Sequence, residues 1–315
     1  MSDHRENTIG VLCLLGVALC WGFVASTVKR LSAQLDPYTL SFFRVSMAAL
    51  VFAGMFALQK GNWRRLPWFT PWMLVGAVGR ASNYALYNAG VARMPSNVAT
   101  ITAPVQTVGV LLMARLFLGE RVRDRWLGLL LSLGGMVLIW WNGEGWEALG
   151  DPRYIWGNLL MVLAGLGSAV QYTSQKVLSP RYSSLEILFT VFAWSTVVHL
   201  PLAWTAGGLS QAYDGQTWAL ILFLCLVLTA GSYFLLAEGY RRCAATTAVT
   251  ITNTTIFMTL IWSAVLLRER VSAIMVVGAL LVVSGAVAVV VADRRAAKRR
   301  AAERRAAERR LAERA

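Results

Sequence analysis

Arg80, Tyr84, Tyr87 and Asn88 follow one another at i, i+4, i+7 and i+8, the spacing that stacks side chains on one face of an α-helix. A guanidinium, two phenols and a carboxamide on one stripe can hold a carboxylate, an amide or a flat ring, but offer little for bond breaking. Asn83 borders the same stripe. Around it the chain is apolar, with 57% hydrophobic and 15% charged residues over 315 positions, and it breaks into apolar runs about twenty residues long, as an integral membrane protein does. Arg80 stands about twelve residues into its run, near the bilayer centre, where an Arg costs about 2.5–3.5 kcal/mol on insertion scales. Such groups persist where they pair or line a cavity.

Later runs answer with polar groups of their own. The sixth carries Ser168, Gln171, Tyr172, Ser174 and Gln175, and the eighth carries Ser232, Tyr233 and Glu238. The substrate-binding set read from the sequence is Trp21, Arg80, Asn83, Tyr84, Tyr87, Asn88, Gln171, Tyr172, Tyr233 and Asn253. For Trp21, mid-run beside Gly22, cavity lining and packing are equally open. Glu238 is the one candidate for ion coupling, although it lies close to the inner end of its helix. Arg44, about seven residues into its run, reads equally as a functional group and as a cation snorkelling to the outer interface. His199 reads as interfacial. The hydroxyls from Thr246 to Thr255 read as helix packing, and most Trp residues as interfacial belts. With two His, and no Asp inside any run, neither catalytic residues nor a metal site is expected. Four scattered Cys build no disulfide framework.

These residues need ten helices to position them, over about 9–31, 38–58, 68–90, 96–117, 125–142, 154–177, 185–205, 217–239, 244–267 and 272–292. Turn chemistry separates them at Asp36-Pro37, Gly61 to Pro71, Pro95, Gly143 to Pro152, Ser179-Pro180 and Gly207-Gly208. One stretch occurs twice at an offset of 149 residues: Gly90 pairs with Gly239, Arg93 with Arg242, Ala99 with Ala248, and Glu120-Arg121-Val122 with Glu269-Arg270-Val271. An offset near half the chain predicts duplication. Five helices is an odd number, so the two repeats are inverted. The expected organisation is a first repeat over 1–142, a connector over 143–153, a second repeat over 154–292 and a basic helical tail over 293–315. With the N-terminus inside, the short inner loops hold nine Lys and Arg against six outside, and ten more follow in the tail. Both termini are therefore expected in the cytoplasm. The tail is read as solvated and held near anionic lipids rather than nucleic acid. Ala18-Gly22-Ser26, Ala164-Ser168, Ser284-Ala288-Ala292 and Gly134-Gly135 mark close helix approach. The fifth and tenth helices read as scaffold outside the bundle.

Ten spans in two inverted halves, Ala103-Pro104 in the fourth helix, the turn Leu118-Gly119-Glu120-Arg121 before a Gly-rich fifth helix, and its echo Leu267-Arg268-Glu269-Arg270 resemble the drug/metabolite transporter superfamily. Within it the chain is similar to the ten-helix EamA-type exporters of amino acids and other metabolites. Arg268 stands where Gly119 stands in the first half, and Asn253 where Pro104 stands, so the second copy departs from the first. The resemblance implies a secondary transporter of the inner membrane with a central cavity, no cofactor and no chemistry on its substrate. The expected cargo is an amino acid with an aromatic or apolar side chain, with Arg80 available for its carboxylate. Nucleobases, nucleosides or hydrophobic drugs are the alternative. An inverted repeat points to alternating access rather than a channel, and no oligomeric partner is required.

Overall fold

The computed structural model describes residues 2–91, 102–119, 125–141, 155–267 and 271–312. Arg93, Pro95, residues 96–101, both Glu-Arg turns, Arg268 and the connector 143–153 lie outside them. Among the described residues the elements are helical: α1 (Ser2–Gly22), α2 (Val24–Leu31), α3 (Pro37–Leu58), α4 (Pro71–Val91), α5 (Thr102–Leu118), α6 (Trp126–Trp141), α7 (Ile155–Leu178), α8 (Ser184–Ala206), α9 (Gly215–Leu222), a π-helical stretch Phe223–Gly231, α10 (Ser232–Arg242), α11 (Ala245–Thr252), α12 (Thr255–Leu267) and α13 (Ala273–Ala312). Six helical stretches are long and apolar enough to cross a membrane, and α5 and α6 are shorter apolar helices. The 21-residue α4 is too polar to join that group, as its stripe of Arg, Asn and Tyr dictates.

Several helices begin where side chains can satisfy the first free N–H groups. Asp36 accepts from the Tyr38 and Thr39 N–H groups with Pro37 in the first turn of α3. Ser183 and Glu186 form a reciprocal capping box on α8. Asp214 accepts from Thr217 N–H at the start of α9, and the hydrogen bonds from Thr217 hold its carboxyl below the usual carboxylate range.

Three expected continuous helices are interrupted. The first breaks at Phe23, between α1 and α2. Beside the break Gly22 is pressed against α12, where an added Cβ would lie 2.6 Å from the Met258 side chain. The ninth breaks at Asn253-Thr254. There Asn253 donates to Thr107 Oγ1 at 2.9 Å, and the Thr254 hydroxyl folds back onto Ile251 O. The eighth passes through the π-helical stretch, in which the Thr229 hydroxyl donates five residues back to Leu224 O.

Packing follows small residues. A Cβ on Gly79 would meet Gly167 O at 2.7 Å, and one on Gly167 would meet Gly79 O at 2.8 Å, so α4 and α7 touch backbone to backbone. α6 and α13 do the same through Gly128 with Gly285 and Gly135 with Gly278, whereas Gly134 faces open space. α3 and α8 meet through Phe52 and Phe192, ring centroids 5.4 Å apart. Exposed Leu50, Phe69 and Leu116 cover the outside, the surface a lipid-facing bundle presents. The last helix runs on from Ala273 through the basic tail to Ala312.

Candidate functional site

Arg80 occupies the centre of the bundle with no exposed surface. One Nη donates to the Tyr233 hydroxyl and the other to Gln171 Oε1. Its guanidinium lies within 4.1–5.9 Å of the ring centres of Tyr233, Tyr84, Phe192 and Tyr172. This cage joins α4, α7, α8 and α10. Four π faces and two neutral oxygens stand in for a carboxylate counter-ion. Gln171 passes the contact on by donating to Gln175 Oε1 at 3.0 Å, while Arg80 Nε has no hydrogen-bond partner.

In front of the cage lies a cavity of about 250 Å³ whose lining includes Trp21, Arg44, Asn83, Tyr84, Tyr87, Gln106, Tyr172, Tyr233 and Thr255. That is slightly below the usual range of ligand pockets, about 300 to 1,000 Å³, and suits a small metabolite. Trp21 is fixed by its indole N–H, which donates to Ser232 Oγ at 2.8 Å, and its ring tilts against Tyr233 at 5.4 Å. Asn83 donates to Ala164 O at 3.0 Å. The Tyr84 hydroxyl is buried beside that of Tyr233.

The remaining sequence-derived candidates sit elsewhere. Asn88 donates to Pro37 O and Ser41 Oγ, tying α4 to the start of α3. Asn253 bonds Thr107 and approaches Ser132 at 3.5 Å, tying the α11–α12 break to α5 and α6. Glu238 forms an ion pair with Arg242 and lies 3.7 Å from Arg241, and Arg242 also pairs with Glu6 at 2.9 Å. This cluster closes the end of α10 against the start of α1. Glu238→Gln is therefore expected to leave cavity-dependent transport within about twofold of wild type, since partly exposed pairs contribute roughly 0–1 kcal/mol. A proteoliposome flux assay checks it, and loss of flux would return Glu238 to the site.

One open reading is decided and one expectation is overturned. Arg44 does not snorkel outward: it is only 6% exposed, its Nε donates to Thr229 Oγ1 at 3.2 Å, and its guanidinium lies 4.7 Å from the Tyr84 ring centre. The cause is tertiary, because α3 packs against the π-helical stretch and Thr229 draws the side chain inward. His199 is not interfacial: it is fully buried, its Nδ1 is 2.7 Å from Ser195 O, and its ring meets Tyr84 edge-on at 6.3 Å. Arg44, Gln106 and Thr255 are among the lining residues that lie outside the substrate-binding set read from the sequence. Ser41, one turn before Arg44 and bonded by Asn88 of α4, is a local signal that this side of α3 is internal.

Long apolar helices around a small polar cavity define a multi-pass α-helical membrane protein, and the comparisons identify its kind. The model for the EamA-like transporter family matches residues 8–141 and 155–291, and the chain belongs to that family. It is 29% identical over 90% of its length to the uncharacterized inner membrane transporter YhbE of Escherichia coli K12, covering 91% of that protein. It is 27% identical over 76% of its length to the pseudopaline exporter CntI of Pseudomonas aeruginosa, covering 82% of it. A solved crystal structure shares the fold with a TM-score of 0.75 at 18% identity, over 91% of this chain and 98% of the other. The protein is a membrane transporter.

Proposed function

We propose that the protein exports small metabolites across the inner membrane, amino acids with aromatic or apolar side chains first among them, by alternating access to the cavity between Trp21, Tyr84, Tyr172 and Tyr233. The carrying observation is that cavity's lining, where aromatic rings surround guanidinium and hydroxyl donors and, among the described lining residues, no carboxylate appears. Such a lining favours a flat or apolar body with a carboxylate and disfavours a hydrophobic cation. Two inverted five-helix repeats, over 1–142 and 154–292, are the moving halves. The twofold family match supports this organisation, as does the crosswise pairing of Gly128 with Gly285 and Gly135 with Gly278. Both termini are placed in the cytoplasm by the Lys and Arg distribution, with the basic tail near anionic lipid headgroups. The cargo leaves chemically unchanged. Because Glu238 is committed to its ion cluster, transport runs down the cargo gradient with little ion coupling.

The test is flux of radiolabelled amino acids, nucleobases and a lipophilic cation into proteoliposomes. Equilibration of the amino acids without any ion gradient is the expected result. Movement of the lipophilic cation alone would overturn the substrate reading, and accumulation driven by an imposed pH gradient would overturn the coupling.

A further inference from the structure

We propose that Arg44 is the anion anchor of the cavity, and that the cargo accordingly carries a net negative charge rather than being a zwitterion or a cation. This rests on the exporter reading for taking the cavity as the cargo site, and it replaces the zwitterionic amino acids of that reading with net-anionic compounds of similar size and apolar body as the favoured cargo.

The geometry points to Arg44 rather than Arg80. Arg80 sits behind the tyrosines with both terminal nitrogens engaged and is not part of the cavity wall. Arg44 is part of that wall. It is held at its Nε by Thr229, whose own hydroxyl is fixed by donating to Leu224 O at 2.8 Å. The clamp leaves the outer edge of the guanidinium for a ligand, and among the described residues no acceptor is bonded to it. A guanidinium held at one edge with a free fork matches a carboxylate.

Charge decides the class of cargo. Arg44 and Arg80 flank one ring, Tyr84, at 4.7 and 5.5 Å from its centre, so the two cations lie no further apart than the sum of those distances. No carboxylate lines the described cavity. The wall adds further donors. The Tyr233 oxygen accepts from Arg80, which makes its hydroxyl a stronger donor, shared with the neighbouring Tyr84 hydroxyl. Two like charges in a low-dielectric interior disfavour a cation, and with no carboxylate in the described lining a zwitterion's ammonium meets only ring faces and neutral oxygens. An aromatic or apolar anion satisfies both the rings and the Arg44 guanidinium.

Four probes that share a benzyl group separate the charge classes: benzylsuccinate (dianion), N-acetylphenylalanine (monoanion), phenylalanine (zwitterion) and phenethylamine (cation). Their affinities are measured by calorimetric titration of the full-length protein in detergent, against empty micelles. The expected result is that both anions bind at least roughly tenfold more tightly than phenylalanine and phenethylamine. Arg44→Gln should remove that preference, as loss of one charged hydrogen bond requires, and Arg44→Lys should restore most of it. Phenylalanine or phenethylamine binding as tightly as the anions, an unchanged order in Arg44→Gln, or no binding of either anion would each overturn the proposal. Should Arg44→Gln fail to fold, the order among the four probes on the wild-type protein and on Arg44→Lys decides it. Flux in liposomes is read separately: anions that bind but are not moved would sink the exporter reading and leave the anchor standing.

Discussion

Arg80→Met should abolish flux in proteoliposomes while shifting thermal unfolding in detergent very little. The substitution leaves the Gln171 oxygen without its donor, which costs about 1–3 kcal/mol, and forfeits contacts to four rings worth about 0.5–2 kcal/mol. Against this it removes a cation from the middle of an apolar bundle, a relief of about 2.5–3.5 kcal/mol, and Met refills much of the volume. These terms cancel to within about 2 kcal/mol, in line with buried charges replaced by apolar residues elsewhere. Function does not cancel, because Tyr233 loses the donor that orients and polarises its hydroxyl. Flux should fall by more than about tenfold, the equivalent of roughly 1.4 kcal/mol. A large drop in unfolding temperature would show instead that Arg80 is a structural pin, and retained flux would remove it from the site altogether.

Gly79→Val should destroy the folded protein. A Cβ there meets Gly167 O at 2.7 Å, and a backbone carbonyl inside a helix cannot swing away as a side-chain tip can, so α4 and α7 must separate. Overpacking typically costs about 1–3 kcal/mol where neighbours can relax. Here the separation would also break the Asn83 bond to Ala164 O and the Ser174 bond to Trp72 O, and it would open the Arg80 cage. Loss of the monodisperse peak in detergent chromatography is the expected readout. The matched control is Gly54→Ala in α3, where an added Cβ meets nothing within 4 Å. It should be neutral or stabilising by about 0.5–1 kcal/mol, since helical Gly costs about that much relative to Ala. Normal behaviour of Gly79→Val would mean that α4 and α7 are not held at backbone contact.

The α4 stripe was legible because helical spacing and the cost of charge in lipid both act locally. Arg80, Tyr84 and Tyr87 could be placed on an internal face before any neighbour was known. Spacing assigns a face but not a depth along it, which is why Asn88, two turns beyond Arg80, was grouped with the site while the fold spends it on the start of α3. Asn253 is similar: an amide inside an apolar run must be satisfied, and the run does not say whether cargo or another helix does so. Arg44 was ambiguous because a cation seven residues inside a span can reach either the interface or the core, and the choice depends on Thr229, 185 residues away. The breaks at Phe23 and Asn253-Thr254 and the π-helical stretch carry no proline. Tertiary contacts impose them, so hydropathy passed over them.

The unbroken run of α13 gives the molecule a pointer. Its 40 residues make a rod about 60 Å long at 1.5 Å per residue, and its apolar part ends at Ala292. The remaining half projects about 30 Å beyond it as a rigid arm. Tilting the apolar half by about ten degrees would sweep the far end through about 5 Å for an arm of that length. A fluorophore near Ala312 would thus magnify a displacement too small to follow at the cavity itself, and would test whether α13 tilts during the proposed transport cycle without any label touching the cavity.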